Sequence, residues 1–167
     1  SFSLRLGNLL VGNDENDAGL EMTLVGGTYR FNQNVLAVLT GSRFRATLDG
    51  AEFPFFKAVH VKKGQELDIG PSQDGARCIL TVKGGFHVPQ VLGSRSTHLM
   101  TRLGGYEGRA LKKGDQITFG DPSTSRAPEK LEKIIEPDRS VLRVTKGLQY
   151  DRFESKNRDV FFRERFI

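Results

Sequence analysis

The spacing of apolar residues changes along the chain. In residues 2–11, FSLRLGNLLV, Phe2, Leu6, Leu9 and Leu10 recur at helical spacing, which predicts a short helix. Gly12 suits the left-handed position that ends such a helix. Gly7 weakens the helix but lets it pack closely against another backbone. The acidic, polar NDENDA that follows reads as a turn. From Leu20 the period falls to two: Leu20, Met22 and Leu24 alternate with Glu21 and Thr23, as in a half-buried strand. Further strands are expected at Thr28–Phe31, Val35–Leu39, Phe44–Leu48, Phe56–Val61, Glu66–Ile69 and Ala76–Val82. Turn chemistry separates them: NQN, TGS, DGA, KKG, GPSQDG and KGG. Short strands this close together leave no room for crossover helices, so the pattern predicts a mainly β fold, a barrel or sandwich.

The pattern loosens after residue 120. Residues 121–137, DPSTSRAPEKLEKIIEP, hold three of the six prolines and read as a charged connection with one helical turn at Glu129–Ile135. A strand is expected at Ser140–Thr145. The last stretch, from Tyr150, reads as a helix or two. Its aromatic face of Phe153, Val160, Phe161, Phe162 and Phe166 must pack on this chain or on residues beyond Ile167. The expected organisation is therefore a barrel over 1–120, a proline-rich connection over 121–137, and a strand and helix over 138–167. One internal echo stands out: KKGQELDIGP at 62–71 resembles KKGDQITFGDP at 112–122, each reading as a turn followed by a short strand that ends at glycine. Its plain meaning is a solvated hairpin entry.

Composition narrows the function classes. A chain of 167 residues buries a real core without disulfides, and Cys78 is its one cysteine. That fits a reducing, cytoplasmic setting. Cys78 lies in the apolar run Cys78-Ile79-Leu80 and reads as a buried hydrophobe rather than a nucleophile. The net charge of +5 is mild, and its charges are mixed along the chain. No basic, aromatic-interleaved face points to nucleic acid, and no apolar run approaches a membrane span. The excess of positive charge favours a small anionic ligand or an acidic partner surface.

Most catalytic signatures are absent. There is no G-x-x-x-x-G-K-[ST] loop, H-E-x-x-H helix or G-x-S-x-G elbow. His60, His87 and His98 show no metal-ligand spacing with one another or with Cys78. The candidate chemistry lies in residues 91–115, VLGSRSTHLMTRLGGYEGRALKKGD, with five glycines and three arginines. Arg95, Arg102 and Arg109 each present a planar fork to a carboxylate or phosphate. Ser94, Ser96 and Thr97 add hydroxyls, and Glu107 is placed to orient Arg109 or move a proton. The competing reading is a long barrel loop that needs glycine to turn and arginine to stay solvated. Thr40-Gly41, at the end of the run Val35–Leu39, is a second candidate, because a strand ending there exposes backbone groups at a barrel mouth.

The 91–115 run, with LGNLLVGN at 6–13, LEMTLVGGTYRF at 20–31 and AVLTGSRFRATLDG at 37–50, resembles the KipA-type family. This is also called the 5-oxoprolinase C-subunit or biotin-dependent carboxyltransferase-like family. The same module resembles the carboxyltransferase part of urea amidolyase, often labelled allophanate hydrolase subunit 2. The resemblance implies a cyclophilin-like β-barrel with short flanking helices, in proteins built from two related halves. It implies a role in an ATP-dependent 5-oxoprolinase, which opens 5-oxoproline to L-glutamate with KipI-type (B) and LamB/YcsF-type (A) subunits. Two alternatives come with it. One is a KipA-type regulator that antagonises a KipI-type histidine kinase inhibitor. The other is the carboxyltransferase part of a biotin-dependent urea carboxylase. The chain lacks the family's opening TTVQD segment and its later SDRMGYR and TTGGYP motifs, and reads Gly-Leu-Gln at 147–149 where Gly-Pro-Gln is usual. It therefore resembles an N-terminal half leading toward a second barrel half, and any site shared between halves is incomplete in it. No catalytic residue is implied. Ser94, Arg95, Ser96, Thr97, Glu107 and Arg109 match the family pattern as binding residues. A peptidyl-prolyl isomerase activity does not follow from a shared barrel.

Overall fold

In a computed structural model of the full sequence, the described residues are 1–121, 126–128 and 144–164. The chain divides into two compact units, Ser1–Glu132 and Lys133–Ile167. The first unit opens with helix α1 (Phe2–Val11). Among the described residues eight strands follow: β1 (Leu20–Thr23), β2 (Thr28–Arg30), β3 (Val35–Gly41), β4 (Phe44–Leu48), β5 (Ala51–Glu52), β6 (Val59–Val61), β7 (Glu66–Ser72) and β8 (Arg77–Val82). They form two antiparallel four-stranded sheets, ordered β1-β8-β3-β6 and β2-β7-β4-β5. Bridges at Val25–Pro71 and Leu39–Phe55 link strands of one sheet to segments beside the other.

Alternation along the strands builds the core. Ala37 and Leu39 of β3 and Cys78, Leu80 and Val82 of β8 point inward, to meet Phe44, Ala46, Leu67 and Ile69 from the other sheet. The opposite face of β3 is buried too. Val38 packs with Leu10 and Val11 of α1, with Leu6 and Leu36 at the margin. A strand covered on both faces reads as a continuous apolar run, which is why Val35–Leu39 shows no alternation.

The contact between α1 and the sheet depends on Gly7. A Cβ there would lie 2.7 Å from the Thr81 hydroxyl and 3.2 Å from that of Thr40. The Thr40 hydroxyl donates to the Ser3 carbonyl at 2.8 Å, while the buried Thr81 hydroxyl has no partner among the described residues. Helix bounds agree with the sequence pattern, but the buried face does not. Phe2 is exposed, and Gly7, Asn8 and Val11 are buried. Two asparagines explain the shift. The Asn8 amide donates to the carbonyls of Asp17 (2.8 Å) and Glu15 (3.3 Å). The Asn13 amide donates to Asn8 Oδ1 (3.1 Å) and the Val82 carbonyl (2.8 Å), and its Oδ1 accepts from the Gly84 amide (2.8 Å). The helix end, the acidic turn and the end of β8 are thus held by one buried polar network.

The strand expectations hold with local corrections. β6 starts at Val59 rather than Phe56, because Phe56 has a left-handed backbone (φ 59°) that cannot join a ladder. β5 is an addition, paired with β4 across an Asp49-Gly50 turn with both φ positive. The echo is real as a turn. Lys62 and Lys112 each donate their main-chain N–H to the side chain three residues on, Gln65 or Asp115. A full strand follows only the first. β7 has β2 and β4 as partners, whereas among the described residues those after Asp115 make a single bridge, Phe86–Phe119.

In the second unit a 3-10 turn (Tyr150–Arg152) precedes helix α2 (Ser155–Arg163). Arg158 stacks on Tyr150 and pairs with Asp151 at 3.1 Å. Phe153, Phe161 and Phe162 are exposed. The turn expected at Glu129–Ile135 and Phe166 lie outside the described residues, as does the strand expected at Ser140–Thr145 up to residue 143. Val144 and Thr145 form no strand.

Two outcomes follow for stability and reactivity. Asn13→Ala strips partners from the Val82 carbonyl and the Gly84 amide, and should cost about 2 kcal/mol. Thermal unfolding should then show a midpoint lower by about 4–8 °C; an unchanged midpoint would show that the network contributes nothing. Burial pushes the Cys78 thiol up to about 12. Iodoacetamide at neutral pH should therefore leave the native thiol unmodified and alkylate it only after denaturation, which intact mass reads directly.

Candidate functional site

β1 is the outermost strand of its sheet, and the long loop 88–117 runs beside it. Between them lies a groove of about 620 Å³. The ladder sets which backbone groups face it. Leu20 and Met22 sit opposite Leu80 and Cys78, and the Leu24 amide donates to the Ala76 carbonyl at 2.8 Å. Even-numbered residues therefore bond to β8, and Glu21 turns its main-chain groups to the groove, while the Thr23 carbonyl accepts from the Val25 amide at 2.8 Å. Leu4, Ile79, Phe86 and Leu111 supply apolar wall, and Arg95, Ser96 and Thr97 supply the polar side.

The loop has its own internal frame. Val91 and Ser94 exchange both main-chain hydrogen bonds (2.8 and 3.0 Å) across Leu92-Gly93, both with positive φ (51° and 77°). This is a type I′ turn. Leucine in the left-handed region costs about 1–2 kcal/mol. A second turn closes where His98 and Leu103 exchange bonds at 2.8 and 3.2 Å. The Ser94 hydroxyl accepts from the Ser96 amide at 3.1 Å. Gly105, buried at φ 54°, lies against Thr97, where a Cβ would collide with the threonine side chain.

The three arginines end in different places. Arg109 is closed on both sides. Its guanidinium donates to Asp115 at 2.6 and 2.9 Å and to Glu107 at 2.7 and 3.0 Å, and it lies 5.0 Å from the Tyr106 ring centre. The hydrogen bond to Asp115, above all, raises the Arg109 pKa. In return Arg109, with the Lys112 amide second, holds the Asp115 carboxyl down at about 2 against the opposing pull of desolvation. A guanidinium so satisfied serves as a clamp at the base of the loop. Arg95 has no ion pair among the described residues. It reaches the groove, and its charge acts on Asp17, whose carboxyl is nonetheless held above its usual value, chiefly by burial. Arg102 stays exposed on the second turn.

Of the residues the sequence singles out, Arg95, Ser96, Thr97 and Arg109 line the groove together. Ser94 and Glu107 belong to the same loop without lining it. Thr40 and Gly41 are elsewhere. Thr40 is fully buried beneath α1, and Gly41, at φ 94°, packs against the Arg77 carbonyl. Sequence reasoning misses the edge of β1, which only sheet order reveals, and Asp115, which lies six residues past Arg109 in a turn that had read as plain solvated chemistry. Among the described residues no group of three or more His, Cys, Asp and Glu is placed to hold a metal, and no helix is long and apolar enough to cross a membrane.

The Arg109 clamp makes an acid-range prediction. The Asp115 pKa is lowered from 3.8 to about 2, so the stability it lends is complete above about 4 and fades as pH falls toward 2. Protection factors of the 105–117 amides, corrected for the intrinsic pH dependence of exchange, should fall over that window. Asp115→Asn should exchange fast already at pH 7 and lose the acid step; a mutant that retains the step would show that another group causes it.

Comparison with known proteins gives this geometry its context. The carboxyltransferase domain, subdomain A and B, family matches residues 1–167. Urea amidolyase of Saccharomyces cerevisiae is 39% identical over 135 residues, covering 81% of this chain and 7% of that protein. The 5-oxoprolinase C subunit of Escherichia coli is 37% identical over 162 residues, covering 96% of this chain and 52% of that one. The Haemophilus influenzae protein of the same name is 34% identical over 162 residues, again covering 52% of its length. The chain thus spans about half of the 5-oxoprolinase relatives and a small part of the amidolyase. Among solved structures, the Kluyveromyces lactis urea amidolyase superposes with a TM-score of 0.79 at 30% identity, over 98% of this chain and 11% of that one. The urea carboxylase of the same yeast gives 0.72 at 33% identity, over 87% of this chain and 13% of its own. With its whole length matched and its two-sheet architecture shared, this chain belongs to the carboxyltransferase domain, subdomain A and B, family.

Proposed function

We propose that this chain is part of the C subunit of an ATP-dependent 5-oxoprolinase, acting with KipI-type (B) and LamB/YcsF-type (A) subunits to open 5-oxoproline to L-glutamate. The observation that carries the reading is Arg95: a guanidinium with no ion pair among the described residues, on the same groove wall as Ser96 and Thr97. Such a site takes one carboxylate and leaves the rest of a small ring against apolar walls. The likeness to 5-oxoprolinase relatives supports the lactam as that ring. Arg95 would hold the carboxylate, Ser96 and Thr97 would donate to its oxygens, and the β1 edge would meet the amide of the ring. The groove does not suit a nucleotide triphosphate. The sequence lacks a phosphate loop, and Arg109 is already taken by two carboxylates. ATP, which supplies the driving force for ring opening, belongs to another part of the assembly on this reading.

A second reading is the carboxyltransferase part of a biotin-dependent urea carboxylase. It is favoured by the 39% identity to urea amidolyase and the 0.79 TM-score. Reconstitution separates the two. The full-length protein containing this chain, mixed with the KipI-type and LamB/YcsF-type proteins, should release glutamate from 5-oxoproline only when ATP is present, and Arg95→Ala should raise the KM for 5-oxoproline roughly 10- to 100-fold. A rate that is the same without this protein rejects the first reading. ATP- and biotin-dependent carboxylation of urea would establish the second.

A further inference from the structure

We infer that the two turns of residues 91–103 form a docking surface for an apolar, acidic-rimmed patch on another protein chain. The identity of that chain rests on the assembly proposed above; the surface itself rests on separate residues. Leu92 is 96% exposed and Met100 92%, each on its own turn, with Leu99 and Leu103 also exposed. Neither turn is loose. Each is closed by a reciprocal pair of main-chain hydrogen bonds, and both share one root, where Gly104 packs against Ser96 and Val91 and Gly105 against Thr97. A large side chain on a fixed turn loses little entropy when it docks. Leu92 also occupies a left-handed position that suits glycine or asparagine. The turn gains nothing from a leucine there, whereas a docked partner would.

The surrounding charge gives the partner its chemistry. The acids of the loop, Glu107 and Asp115, are both bound to Arg109. Arg95, Arg102, Lys112 and Lys113 carry no ion pair among the described residues. Apolar anchors on a segment, 91–103, that carries Arg95 and Arg102 and no acid call for an apolar patch with an acidic rim. A second copy of this chain is disfavoured, because a two-fold contact would bring like fields together. Leucine, methionine and arginine on a preformed backbone fit a protein surface.

The test uses the full-length protein containing this chain, with the purified KipI-type protein as probe in biolayer interferometry. Wild type should bind with an affinity that falls as salt rises. Met100→Asp should weaken binding at least tenfold. Leu92→Gly should weaken it severalfold while leaving the unfolding midpoint equal or higher, since glycine relieves the backbone. That opposition of sign separates docking from folding. If the KipI-type protein binds wild type and both variants equally, the surface is wrong while the assembly stands. No binding to wild type overturns both. Binding to phosphatidylserine vesicles, or self-association, that Met100→Asp abolishes would also overturn the proposal by assigning the surface to lipid or to a second copy.

Discussion

Burial of β3 and β8 on both faces is the constraint from which the remaining geometry descends. Their inner faces complete the core between the sheets, and their outer faces are sealed by α1. The seal needs a helix that comes within touching distance of two threonines, which Gly7 alone permits along that face. Asn8 and Asn13 then fix the helix end to the end of β8. β8 in turn carries β1 on its far side, so the position of the groove edge is inherited from a helix that contributes only Ser1 and Leu4 to the groove itself.

Within the loop, one residue type does opposite work at two positions. Arg109 is locked between two carboxylates and an aromatic ring, which ties residues 106–115 into a single unit. Arg95 forms no ion pair among the described residues and keeps its charge at the groove. The first commits its electrostatic attraction to shape, and the second keeps it available for a ligand. Neither role can be assigned from the residue alone, because it depends on whether an acid folds back to meet it.

This explains what the sequence discloses and what it hides. Period-two runs locate β1, β4 and β7 closely, since half-buried strands write their exposure into alternation, and unbroken apolar runs locate β3 and β8. The apolar run in β3 gives a strand but not its two-sided burial. The face of α1 is misread because buried asparagines and a glycine take places that hydrophobic counting leaves to Phe2 and Leu9. The 112–122 echo shows a turn faithfully and a strand falsely, for a strand needs neighbours that local sequence does not name. The loop is legible as a polar, glycine-rich place of interest. Its division into clamp, groove wall and outward tips depends on contacts such as Arg109–Asp115 and Gly105–Thr97, which form only once the chain has folded.

The close seating of Gly104, Gly105 and Gly108 against Ser96, Thr97 and Arg102 has a consequence for how this scaffold accepts change. These positions lie in an external segment, yet any side chain added there meets backbone or a neighbouring threonine at once. The segment therefore behaves as a rigid chassis with interchangeable fittings. Remodelling its specificity means replacing the hydroxyl and guanidinium positions or the two tips, while the glycines between them stay as they are.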